Sequence, residues 1–303
     1  MKKLSSEELL NELTKKLSLN GQPAFGGFQG TVEEAEYIIF GSPFDDTVCY
    51  KKGCSEEPIA IRKASLNVET INIFNYKDLS DIKYHDAGDI IWNEDVDQMK
   101  KIQDTQDIID SIVNAGKKPI MMGGEHSVMV SSRNAFKDCL YVIIDAHADL
   151  RDEYEESKFS HACATRRLLD EGFLKPEQIF QIGIRALSPE EVAYARDHNI
   201  KQVYAPYFTM ETVDYIVRMV EKRTEKYRGI YLSIDIDGFD PAYAPGVGTP
   251  EPFGIRPHDL LRLIMDLKCP IVGMDINEYN PGQDPSGVTA VLCAQLINYV
   301  LTQ

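Results

Sequence analysis

Short apolar runs rich in β-branched residues recur along the chain with helix-like segments between them, and this alternation restricts the fold more than any other feature. The runs are AEYIIFGSP from 35, KPIMMGG from 118, LYVIIDAH from 140, IFQIGIRA from 179, GIYLSIDID from 229 and PIVGMDINE from 270. Between them lie segments such as MKKIQDTQDIIDSIVNAG from 99 and METVDYIVRMVEKRTEKY from 210, with apolar residues three and four positions apart. Runs that are apolar throughout suit strands covered on both faces. The expectation is an α/β chain built on a mainly parallel sheet.

No internal repeat, low-complexity tract or Ser/Gly-rich linker divides the 303 residues, so a single domain over 1–303 is expected. The first twenty residues, MKKLSSEELLNELTKKLSLN, have helical periodicity and are read as a peripheral helix or arm. The formal net charge of −16 argues against partnership with nucleic acid or an anionic membrane and in favour of a cationic small molecule. No apolar stretch approaches the roughly 18 residues that span a bilayer. The six cysteines, Cys49, Cys54, Cys139, Cys163, Cys269 and Cys293, form no CxxC pair and no signal peptide is apparent. Reduced thiols and a cytoplasmic location are the expectation.

In an open parallel sheet, ligands bind beyond the carboxyl ends of the strands. Here those ends carry GGEHS (123–127), DAHAD (145–149), DIDGFDP (235–241) and NEYNP (277–281). A backbone still extended at the strand end would project Asp145, His147 and Asp149 to one side, and Asp235 with Asp237 likewise. Adding His126 gives four carboxylates and two imidazoles. Four unpaired anions in one cleft would raise each other's pKa values, a penalty that a pair of divalent cations removes. Oxygen donors with a minority of imidazoles and no thiolate favour a hard ion such as Mn²⁺, although such sites also hold Zn²⁺, Co²⁺ or Ni²⁺. Read alone, a histidine placed like His126 is more often a cap or core residue than a ligand, and Ser127 reads simply as a helix cap. The DxD at 235 does not open a calcium loop, because Gly238 comes fourth rather than sixth and Gly246 stands where Glu is required.

Taken together, GGEHS, DAHADLR…FSHACATRR, SIDIDGFDPAYAPGVGTPEPFG and DINEYNP resemble the ureohydrolase family, the dimanganese amidinohydrolases that include arginase and agmatinase. The resemblance runs from about residue 41 to the end. It implies a three-layer α/β/α fold around a roughly eight-stranded, mostly parallel sheet, and a homo-oligomer, trimer or hexamer. It also implies two Mn²⁺ per subunit, one held by His126, Asp145, Asp149 and Asp235 and the other by Asp145, His147, Asp235 and Asp237. His161 matches the family's proton-shuttling histidine and Glu278 the acid that pairs with the substrate guanidinium. Where the family commonly has Gly-Gly-Asp-His, this chain has Glu125, which would lengthen a contact near His126 without removing a ligand. No role is assigned to His85, His198 or His258.

The chemistry of these roles is coherent. Guanidinium is a resonance-stabilised cation, so water attacks its carbon poorly and the departing amine must be protonated. Paired cations lower the pKa of a shared water from ~15.7 towards neutrality. Asp149 can accept a hydrogen bond from that nucleophile, Glu278 can orient the guanidinium, and His161 can ferry protons. Urea and an amine would result. The acid-rich loop LRDEYEESKFSHA, with Asp152, Glu153, Glu155 and Glu156, would repel a carboxylate tail and welcome an ammonium. That favours agmatine, with putrescine as product and Asp152 and Glu153 as substrate contacts, unless these acids are simply a solvated loop. Guanidinobutyrase, arginase and a catalytically silent metal-binding relative stay open as alternatives.

Overall fold

The computed structural model describes residues 3–93 and 95–303. Its strands are β1 (Leu17–Ser18), β2 (Tyr37–Gly41), β3 (Tyr84–Ile90), β4 (Lys118–Met122), β5 (Leu140–Ile144), β6 (Ile179–Ile184), β7 (Lys201–Tyr204), β8 (Ile230–Asp235) and β9 (Ile271–Asn277). They form one sheet in the order β1-β3-β2-β4-β9-β8-β5-β6-β7. Every pairing is parallel except that of the two-residue β1 with β3. The eight parallel strands and the short antiparallel one accord with the mostly parallel sheet expected from the sequence.

The helices are α1 (Ser6–Lys16), α2 (Glu57–Ser65), α3 (Gln98–Asn114), α4 (Ala164–Asp170), α5 (Pro189–Asp197), α6 (Val213–Thr224), α7 (Pro257–Asp266) and α8 (Val288–Leu301). Alternate residues of a strand face opposite sides of a sheet, which is why apolar runs without gaps are needed here. Ile120, Val142, Ile144, Leu232 and Ile234 pack in one core with Ile61 of α2, Ile216 of α6, Leu263 of α7 and Ile297 of α8. Met121, Ile143 and Tyr231 belong to a second core with Leu9 of α1, Ile109 of α3 and Leu168 of α4. The result is three layers. Helix α1 starts with a capping box, Ser5 Oγ accepting from the Glu8 N–H at 3.1 Å and the Ser5 N–H donating to Glu8 Oε2 at 2.8 Å. With Leu9 and Leu13 buried, α1 packs onto the body of the domain.

Two longer strands lack an apolar run. β3 reads YHDAGDI because it buries Asp86, whose carboxylate meets Arg62 of α2 at 2.8 Å with both side chains fully enclosed. A charge is tolerated inside when it is paired in this way. β7 lies at the sheet edge and buries only Val203.

The strand order brings the polar motifs together. After β4 the chain passes over two places to form β5, and β8 and β9 later fill the gap. The four strands that carry the polar motifs, β4, β9, β8 and β5, are therefore consecutive neighbours with their carboxyl ends on one edge. A reversal of winding of this kind opens a crevice at that edge.

Candidate metal centre

Each of the four strands delivers its polar residues immediately past its end. Gly123 and Gly124 carry the chain from β4 to His126, and a side chain at Gly124 has no room: its Cβ would lie 1.9 Å from the Phe44 carbonyl oxygen. Backbone cannot yield that far. Gly124→Ala is expected to destabilise the fold by about 1–3 kcal/mol, as overpacking does, and to displace His126; a thermal melt together with metal analysis checks this, and an unchanged melt contradicts it.

The imidazole of His126 is fully buried, and three carboxylate oxygens crowd its Nδ1: Asp149 Oδ2 at 3.0 Å, Asp145 Oδ2 at 3.1 Å and Asp235 Oδ2 at 3.4 Å. None is hydrogen-bonded to it, and Asp145 Oδ2 is likewise buried without a partner. The other ring nitrogen decides the tautomer. Ser233 Oγ donates its proton to Asp275 Oδ1 at 2.6 Å, so at 3.0 Å from His126 Nε2 it can only accept. One ring proton therefore sits on Nε2, and in the neutral ring, the form that binds a metal, Nδ1 presents a lone pair to three oxygens. A lone pair facing anions is repulsive unless a cation lies between them, which is the arrangement a ligating histidine with an oriented outer partner produces.

A second cluster adjoins the first. His147 Nδ1 is 3.1 Å from Asp237 Oδ2 and 3.6 Å from Asp145 Oδ1. Two groups of side chains have ligand atoms close enough to share an ion, His126 with Asp145 and Asp235, and Asp145 with His147 and Asp237. Asp145 belongs to both. The buried atoms without partners, the lone-pair geometry and the hard donor set all fit a pair of divalent ions.

The means of convergence differ from the extended backbone expected at 145–149. Residues four apart on a strand are separated by roughly 13 Å, too far to meet at one ion. Instead β5 ends at Ile144, and Asp149 adopts a left-handed backbone with φ +53°, folding its carboxylate back to His126. Likewise Asp237 lies in a single 3₁₀ turn, Ile236–Gly238, whose first N–H groups include the one it donates to Asp235 Oδ1 at 2.9 Å. Turns, not the strand pleat, gather these ligands.

Electrostatics record the crowding. Burial works to lower the pKa of His126, but the Asp145 and Asp149 carboxylates outweigh it and the net shift is well upward; His147 is raised in the same way by Asp237 and Asp145. Burial and the Asp145 charge push Asp149 up to about 7, and burial with the Asp237 and Asp145 charges raises Asp235 strongly. Asp237 alone is held low, because His147, the Ala146 N–H and the Thr249 hydroxyl overcome its burial.

Glu278 stands beside this cluster. Its backbone is left-handed, φ +67°, an arrangement that costs about 1–3 kcal/mol for a residue other than glycine. Its Oε1 accepts the His126 N–H at 2.7 Å, and burial pushes its pKa up to about 8. Behind it, the buried Glu57 of α2 accepts the Tyr279 N–H at 3.2 Å. Glu125 is also enclosed, with a pKa pushed up to about 7 by burial. It binds the Thr47 N–H at 2.5 Å and hydroxyl at 2.7 Å, Ser127 Oγ at 2.5 Å and Gln98 Nε2 at 3.0 Å. Thr47 Oγ1 in turn accepts the His161 N–H at 3.0 Å. Glu125 thus braces the loop that seats His161, whose ring is pushed down to about 4 by burial and whose Nε2 lies 3.7 Å from Cys49 Sγ.

His147, Asp149 and His161 line a cavity of about 240 Å³ together with Arg151, Tyr154 and Glu251. Asp152 and Glu153 do not line it. Asp152 turns away to an ion pair with Arg167 at 2.8 Å, and Glu153 is exposed to solvent. Thr47, Thr249, Glu251 and Arg185 were not singled out from the sequence. Thr249 and Glu251 lie inside the quoted GVGTPEPFG, whereas Arg185 follows β6 with no marker of its own.

A model of the Arginase family matches residues 35–302. The N(1)-aminopropylagmatine ureohydrolase of Thermococcus kodakarensis is 37% identical over 271 residues, covering 88% of this chain and 90% of its own. The agmatinase of Pyrococcus horikoshii is 34% identical over 273 residues, covering 89% and 92% respectively. Among solved structures, that of the agmatine ureohydrolase of Thermoplasma volcanium superposes with a TM-score of 0.84 at 38% identity, covering 96% of each chain.

Proposed function

The chain belongs to the arginase family and is a ureohydrolase, a hydrolase of C–N bonds in linear amidines, and from that premise we propose that its substrate is agmatine, cleaved to urea and putrescine. The observation that carries the reading is the buried Nδ1 of His126 facing three carboxylates beside a cavity that also contains His161. We assign the two ions as Mn²⁺, with His126, Asp145, Asp149 and Asp235 holding one and Asp145, His147, Asp235 and Asp237 the other. When bound, the pair supplies Lewis acidity that makes a water nucleophilic near neutral pH.

The remaining work falls to the chain's own side chains. With Oε1 engaged by the His126 N–H, Glu278 keeps Oε2 for the guanidinium, and an arriving cation favours its ionised form. Asp149, on the cavity wall, accepts a hydrogen bond from the attacking water and holds its lone pair towards the guanidinium carbon. His161 is neutral at physiological pH and able to take up a proton and deliver it to the leaving amine. Tyr154 packs edge-on against its ring at 5.9 Å, which limits its rotation. The six cysteines are unpaired, which supports the cytoplasmic location we propose, and the assembly we propose is a trimer or hexamer.

His161→Asn is expected to lower turnover by about 10²–10³-fold, the contribution of a positioned proton-transfer group, with bound metal unchanged. Urea release from agmatine, arginine and 4-guanidinobutyrate, measured side by side with metal content, tests both parts of the proposal. Absence of urea from all three with the manganese-loaded protein would establish the silent alternative.

A further inference from the structure

Resting on the agmatine reading, we infer that Glu251 is the specificity-determining residue that receives the distal ammonium of the substrate. Three acids among the described residues line the cavity: Asp149, Glu191 and Glu251. Asp149 belongs to the candidate ligand cluster. Glu191 is committed: one oxygen accepts the Leu150 N–H at 3.2 Å and the other the Ser188 N–H and hydroxyl at 2.9 and 2.8 Å. Its remaining field falls on Arg151, whose Nε is 3.8 Å away, so this pair is close to neutral. Asp152, the other candidate, is spent on Arg167.

Glu251 alone is uncommitted. Its side chain is 40% exposed, and its contact with a charged partner is His147 Nε2 at 4.0 Å, beyond hydrogen-bonding distance. The position of its backbone is nevertheless fixed. The Arg185 guanidinium donates to the carbonyls of Asp237, Gly238, Phe239, Glu251 and Pro252 at 2.7 to 3.2 Å, tying the Glu251 loop to the turn that carries Asp237. A carboxylate on the cavity wall, facing water and without a hydrogen-bond partner, keeps its charge available to a mobile cation, and because its backbone is tied down only the side chain remains to be ordered when the ligand arrives. A guanidine with a carboxylate tail would meet repulsion there.

The test compares agmatine with butylguanidine, which has the same carbon chain and no ammonium, and with 4-guanidinobutyrate, using manganese-loaded wild type and Glu251→Gln. The ratio of kcat/KM for agmatine to that for butylguanidine is expected to fall about tenfold, the loss of one hydrogen bond to a charged group. The Kd of agmatine measured by calorimetry should rise by a similar factor, with metal content unchanged. Glu251→Lys should move the preference towards 4-guanidinobutyrate. A ratio that moves less than twofold overturns the assignment, and so does a loss of bound metal in Glu251→Gln, which would mean that Glu251 acts by orienting His147. Should wild type release no urea from any of the three, the substrate reading fails separately, and the calorimetric comparison still decides whether Glu251 binds the ammonium.

Discussion

Asp235→Ala is expected to cut urea release by on the order of 10³-fold or more and to lose at least one equivalent of metal. The Asp235 carboxylate lies 3.4 Å from the His126 lone pair and accepts the Asp237 N–H at 2.9 Å. Alanine removes a charge from the first group of ligands and releases the 3₁₀ turn that aims Asp237 into the second, so both positions suffer from one change. Lewis-acid stabilisation amounts to several kcal/mol of the barrier, and each 1.36 kcal/mol is a factor of ten in rate, which sets the scale. Elemental analysis alongside a urea assay is decisive; full metal occupancy with activity within tenfold of wild type would refute the assignment. His161→Asn serves as the contrasting variant, since it should lose turnover and keep its metal.

The second large effect concerns stability. Stripped of metal by a chelator, the protein should become less stable as pH rises from about 5 to 8. Asp149 and Glu278, with folded pKa values of about 7 and about 8, hold protons in the native state well above the ~4 at which the unfolded chain releases them. His126 and His147, raised well above 6.5, stabilise the fold while protonated and lose that contribution as pH climbs through their folded values. In both cases the native state binds more protons than the unfolded state across this window, so stability falls with rising pH. His161, lowered to about 4, acts the other way between about 4 and 6.5, where the raised carboxyls of Asp149, Glu278, Glu125 and Asp235 oppose it; the two raised histidines act only above about 6.5.

Metal reverses the trend. The ligands must be deprotonated to bind it, so its stabilising effect grows with pH. At a thousand times Kd it contributes about 4 kcal/mol, on the order of 10 °C in Tm for a chain of this size. Melts at pH 5.5 and pH 8, with chelator and then with excess Mn²⁺, would show the opposite slopes. A metal-free protein more stable at pH 8 than at pH 5.5 would contradict the reading of the cluster as a set of mutually strained acids and imidazoles.

Local chemistry was legible because it is written locally. Six apolar runs announced β2, β4, β5, β6, β8 and β9, since a strand buried on both faces has no position left for water. His126, Asp145, His147, Asp149, Asp235 and Asp237 stood out because ionisable groups directly after such runs need a reason to be there. β3 escaped notice, since the Asp86 that breaks its apolar pattern is neutralised by Arg62 from another element, 24 positions away in sequence. The same cause hid Glu57, the bracing of Thr47 by Glu125, and Arg185: each matters through partners remote in the chain.

Asp152 and Glu251 mark the boundary between the two kinds of information. Composition shows an acidic loop and an acid-bearing motif, and from the sequence the loop is the natural place for an ammonium to bind. Which carboxylate is free depends on where the cations fall, and Arg167 reaches Asp152 while Arg185 takes only the backbone carbonyl of Glu251. Residue types and their order along the chain were enough for the α/β class, the six candidate ligands and the family, because those follow from side-chain chemistry and short-range spacing. The adjacency of β4, β9, β8 and β5, the turns that close Asp149 and Asp237 onto their partners, and the identity of the uncommitted acid arose only on folding, because each is a distance between segments that the linear order leaves undefined.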